Sequence, residues 1–246
     1  MILIQPHIFR QFNGIGFGFS TKIGSSSNTP FHFNLSFSVG DDSETVKENR
    51  KIFFDNLGIE ENRTALQKQV HGDSIKVINK GGNHGESDAL ITTEKNLGLA
   101  ITSADCCAIF VYDFRQQIVA AVHSGWRGTS KRILFKTVEK LKNDFNCNPG
   151  DLFCYLSPSI SQQNYEVGNE VAHQFSGKYI AKKDDKIYLD LKTANYDMLI
   201  EQGVKLNQIQ ISQLCSYGYA SLLHSYRRDG KNSGRALGVI FMKDKK

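Results

Sequence analysis

The residues in this chain that could do chemistry near neutral pH are its seven histidines, its five cysteines and the few polar groups set inside apolar runs. The stretch from Gly98 to Thr129, GLAITSADCCAIFVYDFRQQIVAAVHSGWRGT, sets Cys106 and His123 in two neighbouring apolar runs and closes on a glycine-flanked Trp126-Arg127. Upstream, His71 stands in QKQVHGD between two strand-like runs, where a neighbouring glycine suits a residue projecting from a rigid edge toward a cleft. Two imidazoles and a thiolate make a good three-ligand set for zinc and leave the fourth tetrahedral position open. Such a centre is catalytic in type: zinc lowers the pKa of its bound water to about 7 and polarises leaving atoms, so hydrolysis, deamination and group transfer are all open to it. Copper is an alternative occupant, because its intrinsic affinity for such ligands is higher. The three residues are far apart in sequence and form no local signature of the H-E-x-x-H kind. By themselves they leave other triplets open, with His84 in the GGNHGES loop as a reserve ligand. Cys106 could equally act as a nucleophile with His71 or His123 as its base.

These groups need elements to hold them. LGLAITSADCCAIFVYD and QQIVAAVH read as two buried strands of a mixed sheet, because short apolar runs rich in β-branched residues suit strands covered on both faces. A polar residue inside such a run needs a partner, since an unpaired buried charge is costly. From Thr129 as N-cap a helix is expected, with Leu134, Val138, Leu141 and Phe145 on one face. The strand, His-Ser-Gly-Trp-Arg-Gly turn and helix resemble the general plan of an anion-binding helix start. Their glycine spacing matches neither a dinucleotide fingerprint nor a Walker loop. Ile15 to Thr21 alternates as a strand, residues 24–30 read as a polar loop, and Phe31, Phe33, Leu35 and Phe37 share one face of an alternating stretch with Asn34 on the other. Asp41 is the expected N-cap of a following helix that carries Val46, Phe53, Phe54 and Leu57. GGNHGES is expected to be a turn, leading to a short strand that carries Asp88. Toward the C-terminus, DLFCYLSPSI reads as a strand, YEVGNEVAHQF and LDLKTANYDMLIEQG as helices, and ALGVIFM as a closing strand. The expectation is an α/β (α+β) chain, a single layered domain over residues 1–246 with a mixed β-sheet flanked by helices.

The chain has 246 residues and a formal net charge of +5, with its basic residues scattered apart from short clusters at Lys182–Lys186 and Lys243–Lys246. That distribution lacks the concentrated basic stripe of a nucleic-acid face. No run is long and apolar enough to span a membrane, and the start lacks the plan of a secretory signal. An odd cysteine count fits a reducing compartment, so the reading is a cytoplasmic protein without a disulfide framework. A monomer or small homo-oligomer is expected.

Seven segments go further. NLSFSVGDD with ENR, QKQVHGD, SDALIT, TSADCCAIFVYD, VAAVHSGWRGT, NYEVGNEV, and SYRRDG with SGR resemble, in order and over nearly the whole chain, a purine nucleoside phosphorylase family that also carries a laccase-domain label. The same family is called polyphenol oxidase or peptidoglycan editing factor. The resemblance implies a zinc held by the histidine of Q-V-H-G, the cysteine of D-C and the histidine of H-x-G-W-R-G, here His71, Cys106 and His123. It also implies phosphorolysis of adenosine, inosine, guanosine and S-methyl-5′-thioadenosine, with phosphate attacking the ribose C1′, together with hydrolytic deamination of adenosine. Purine nucleosides and phosphate are then the partners, and Asn34, Trp126, Arg127, Arg228 and Arg235 are the candidate contacts to them. One departure stands out: the family's D-C-x-P reads Asp105-Cys106-Cys107-Ala108 here. Alignment on Asp105 makes Cys106 the ligand and Cys107 a small core residue, because adjacent strand residues face opposite sides. Two rival activities are copper-dependent oxidation of phenols and thiol or zinc hydrolysis of cell-wall precursors. The first needs many histidines, typically in H-x-H pairs, and this chain has none of those pairs. A structural zinc module is the non-enzyme alternative.

Overall fold

A computed structural model describes residues 1–24 and 29–244. Most of the expected polar loop at 24–30, and the end of the terminal lysine cluster, lie outside the described residues.

The architecture is mixed α/β, with two six-stranded sheets packed face to face and helices on both outer faces. The first sheet runs, edge to edge, through Leu3–Ile4, Ile15–Ser20, Ala236–Met242, Gly98–Ser103, Thr64–Lys68 and Gly82–Glu86. The second runs through Ile209–Ile211, Leu152–Leu156, Cys107–Asp113, Ile118–Ser124, Ala89–Thr92 and Ile75–Val77. A small third sheet joins Glu166–Val167, Lys186–Leu189 and Ile180–Lys183. Both large sheets contain parallel and antiparallel neighbours. No helix among the described residues is long and apolar enough to cross a membrane.

Strand alternation explains the layers. In Cys107–Asp113, residues Ala108, Phe110 and Tyr112 face the first sheet and join Phe17, Phe19, Leu99 and Ile240 in the inter-sheet core. Cys107, Ile109 and Val111 face outward and meet Leu134, Val138, Leu141 and Leu199 of the helices Ile133–Phe145 and Leu191–Glu201. On the other side, Phe53 and Phe54 of the helix Ser43–Leu57 cover Ala100, Val239 and Phe241 of the first sheet. Strands covered on both faces have no polar side to show, and hence their near-continuous apolar sequence.

Several expectations change. The mixed α/β architecture flanked by helices is as expected, but with two mixed sheets in place of one, because LGLAITSADCCAIFVYD does not run as one strand. It breaks after Ser103, where Asp105 takes φ +92°, and crosses from the first sheet to the second before Cys107. The Phe31–Phe37 stretch forms no strand: Phe33 and Leu35 are buried, but so is Asn34, while Phe37 is exposed. The helix N-cap is Asp42, whose carboxylate accepts the Thr45 N–H at 2.8 Å, rather than Asp41, which instead accepts from Asn34. GGNHGES contains a parallel edge strand, Gly82–Glu86, rather than only a turn. Thr129 does not cap the long helix. It lies inside a short helix, Trp126–Ser130, and a left-handed Arg132 separates this from Ile133–Phe145.

Candidate metal centre

The crossing between sheets is where the chemistry collects. His71 lies on the loop that leaves Thr64–Lys68 of the first sheet, Cys106 on the crossing turn itself, and His123 near the end of Ile118–Ser124 in the second sheet. One ligand atom from each of the three lies within 4.8 Å of the others, with the Cys106 sulfur 3.8 Å from His71 Nε2. The imidazole rings are nearly perpendicular at a centroid distance of 4.7 Å. Tetrahedral zinc with sulfur at about 2.3 Å and nitrogen at about 2.0 Å sets such ligand atoms roughly 3.5 Å apart. Small side-chain movements of these three would close the set on one ion. Among the described residues this is the one cluster of His, Cys, Asp and Glu side chains with metal-ligand geometry.

Each member is held by its surroundings. Gln69 uses its amide to extend the ladder of the first sheet: its Oε1 accepts from Thr102 N at 2.8 Å, and its Nε2 donates to Thr102 O at 2.9 Å. That fixes the strand end two residues before His71, which itself adopts φ +58°, a left-handed conformation that costs a β-carbon-bearing residue roughly 1–2 kcal/mol. Three successive backbone N–H groups, of Val70, His71 and Gly72, donate to the Asp88 carboxylate at 3.2, 3.0 and 2.7 Å. Asp88 is wholly buried, and its Oδ1 also lies 2.7 Å from His123 Nδ1. His123 Nε2 is thereby left to face Cys106 and His71. The Cys106 turn is tied down by Ser103 Oγ, which donates to Cys106 O at 2.6 Å, and by Asp105, whose carboxylate accepts from Ser216 Oγ and Arg227 N, both at 2.6 Å. Gly125 is required by close approach: a β-carbon there would stand 2.8 Å from the Cys106 sulfur and 3.0 Å from His71 Cδ2.

The electrostatics follow from this packing. Burial opposes ionisation of the Cys106 thiol, but the His123 and His71 imidazoles outweigh it and bring the thiol down to about 6. Burial likewise works against a charge on His123, and the facing Cys106 and Asp88 reverse it, lifting the imidazole to about 9. Asp88 is held below the usual carboxylate range, because His123 and the Gly72 and Val70 N–H groups overcome its burial. Cys107 differs throughout. It faces the helices, is fully buried, and burial pushes its thiol up to about 12.

The other expected contacts divide in two. Trp126 packs on the core beside the site, and Arg127 lies over its ring, 4.3 Å from the centroid, with its head exposed. Arg235 stacks over Tyr226, and lies close enough to Asp105 and Cys106 for their charges to act on it. These three border the centre. Arg228 is spent elsewhere: its guanidinium donates to the carbonyls of Ser216, Tyr217 and Leu223 and to Asp229. Asn34 is buried, and its amide is engaged with Ser36, Asp41 and Arg235 N. His84 lies on the far edge strand, with Nε2 on Lys80 O. The five-residue helix Trp126–Ser130 is too short to supply the expected anion-binding helix start.

Sequence reasoning placed Asp88 on a strand without giving it a task, and it passed over Tyr165. That half-buried tyrosine lies under the Arg227 guanidinium, near Cys106 and Asp105. Its matching segment, NYEVGNEV, was the available signal for Tyr165, while a carboxylate at the head of the apolar run Ala89-Leu90-Ile91 was the signal for Asp88.

The chain is similar to known proteins over nearly its whole length. The chain is 32% identical over 245 residues to purine nucleoside phosphorylase YlmD of Bacillus subtilis, covering 92% of this chain and 88% of that protein. It is 33% identical over 228 residues to a purine nucleoside phosphorylase of Deinococcus radiodurans, covering 90% and 87%. Among solved structures, the hypothetical protein YfiH of Bacillus licheniformis superposes with a TM-score of 0.92 at 28% identity, covering 98% of this chain and 96% of that one. YlmD from Geobacillus stearothermophilus gives 0.88 at 28% identity, covering 95% and 93%. Residues 16–243 match the family described as multi-copper polyphenol oxidoreductase laccase, and the chain belongs to that family.

Proposed function

We propose that this protein is a zinc-dependent purine nucleoside phosphorylase that also deaminates adenosine. The observation that carries the reading is the convergence of His71, Cys106 and His123, drawn from both sheets onto one point at the mouth of the crossing. The whole-length relatives named purine nucleoside phosphorylase supply the substrate class. When bound, zinc would supply Lewis acidity and lower the pKa of a bound water. The chain's own residues do the rest. His71, Cys106 and His123 hold the ion, and Asp88 leaves the His123 ring with Nε2 facing it. The Arg127 guanidinium on the Trp126 ring offers a flat wall for a purine. Arg127 and Arg235 bring positive charge to the rim, where phosphate must approach the ribose. The preference for zinc over copper rests on the ligand set: two imidazoles and one thiolate in one cluster are far from the many histidines of a multicopper centre.

One observation favours a second reading. Cys106, His123 and Asp88 are ordered as nucleophile, base and orienting carboxylate, with the thiol brought down to about 6. A cysteine hydrolase acting on cell-wall precursors would use the same three groups. Resolving the products from adenosine, inosine or S-methyl-5′-thioadenosine, with and without phosphate, tests the first reading. Free purine and ribose 1-phosphate (or its methylthio analogue) are expected only with phosphate, and inosine is expected from adenosine without it. Unchanged nucleosides from folded, zinc-loaded protein would refute it. A hydrolase reaction that survives chelation would establish the second.

A further inference from the structure

We infer that Asp88 is a positioning residue that couples the two histidine ligands, setting the protein's affinity for its metal through both at once. The inference rests on the reading of His71, Cys106 and His123 as a metal centre.

The geometry is unusual in how much one carboxylate does. One oxygen takes the His123 ring at 2.7 Å and the His71 N–H at 3.0 Å, and the other takes the Val70 and Gly72 N–H groups at 3.2 and 2.7 Å. The Asp88 backbone contributes as well, its carbonyl accepting from His123 N at 2.7 Å and its N–H donating to Ser74 O at 3.0 Å. One histidine is thus fixed through its ring and the other through its backbone. Hydrogen bonds to a charged group are stronger than those between neutral groups, and three N–H donors on one carboxylate hold the left-handed His71 in place. A ligand histidine whose second nitrogen meets a carboxylate has its tautomer and ring orientation set before metal arrives.

The loop has a second tether that does not involve Asp88. Asp73 is paired with Lys136 at 2.6 Å and with Lys131 at 3.8 Å on the neighbouring helical segment. Removing the Asp88 charge should therefore loosen residues 70–72 without detaching the segment. A merely structural aspartate would shift the melting temperature and leave metal affinity alone. A positioning aspartate shifts affinity more than stability.

The test uses the full chain and zinc itself. In chelator competition, Asp88→Asn should bind zinc about 10- to 100-fold more weakly than wild type. Amide exchange at Val70, His71 and Gly72 should accelerate, and the cobalt-substituted protein should show an altered visible d–d spectrum. Asp88→Glu keeps the charge but displaces it by one methylene, and its affinity should fall between the two; it carries the test if Asp88→Asn does not fold. Wild-type zinc affinity in whichever variant folds overturns the inference and leaves the metal centre standing. A wild-type protein that binds no zinc overturns both.

Discussion

Gly125→Ala isolates the metal geometry with a single methyl group. Gly125 has φ −77° and ψ 179°, so alanine is permitted there and the backbone adds no strain of its own. The new β-carbon would stand 2.8 Å from the Cys106 sulfur and 3.0 Å from His71 Cδ2, closer than such atoms approach. In the metal-free protein the thiol is the free end of a short side chain and can rotate away, so stability should change little. With metal bound, sulfur and imidazole are both committed and the methyl must push against them. Overpacking of this kind costs about 1–3 kcal/mol, which corresponds to roughly a 5- to 150-fold weaker zinc affinity. Zinc competition titrations should show that loss, while chelated Gly125→Ala and wild type unfold at nearly the same urea concentration. Equal zinc affinities would show that Cys106 and His71 do not share an ion in the geometry described.

Further outcomes follow from the same contacts. Cys106→Ala should abolish stoichiometric zinc by elemental analysis, whereas Cys107→Ala should keep it and cost about 1 kcal/mol in urea unfolding for the small cavity left; the reverse would exchange the roles of the two thiols. Arg228→Ala should cost several kcal/mol, since its guanidinium satisfies three carbonyls and Asp229, and Arg235→Ala should mainly raise the KM for phosphate; a wild-type phosphate KM in Arg235→Ala would remove it from the site. His224 is 3% exposed, and burial, with Lys22, His32 and Arg235 nearby, pushes it down to about 3 although the Phe33 carbonyl it faces pulls the other way. Because its folded value lies below the unfolded value of about 6.5, the unfolded chain binds the extra proton; His224's contribution is complete above that pH and is lost as pH falls toward 3, at up to about 1.4 kcal/mol per unit. Urea melts between pH 6.5 and 4 should show that slope, and it should flatten in His224→Gln; an unchanged slope would assign it to other groups.

Much of this was legible in the sequence, and the gaps have physical causes. Apolar runs around Cys106 and His123 marked strands covered on both faces, and strand parity marked Cys107 as a core residue turned away from Cys106; Cys107 does face the core under the helices, but Cys106 lies on the turn before the strand. Which three residues would meet was not legible from their spacing. Family resemblance chose them, because the contacts are made by topology rather than by neighbouring positions. The break at Asp105 was hidden because a left-handed aspartate leaves no mark among apolar neighbours. Asp88 was overlooked because three of its partners are backbone N–H groups, which any sequence supplies. Arg228 and Arg235 look alike in SYRRDGKNSGRA, and both donate to loop carbonyls; they differ in that Arg228 also engages Asp229 through Nε and Nη2, whereas Arg235 bonds through Nη1 to Ser233 and Gly234 and stacks on Tyr226. The Phe31–Phe37 alternation misled because Asn34 is buried too, as the hub of local backbone bonds rather than the polar side of a strand.

Activity should depend on a zinc held by His71, Cys106 and His123. Zinc content and inosine phosphorolysis should be measured on the same samples of wild-type and His71→Ala protein, before and after chelation and after stoichiometric zinc is returned. The expected result is one zinc per wild-type chain, phosphorolysis lost on chelation and restored by zinc, and neither zinc nor activity in His71→Ala. Phosphorolysis that persists in fully stripped protein, or in His71→Ala, would contradict it.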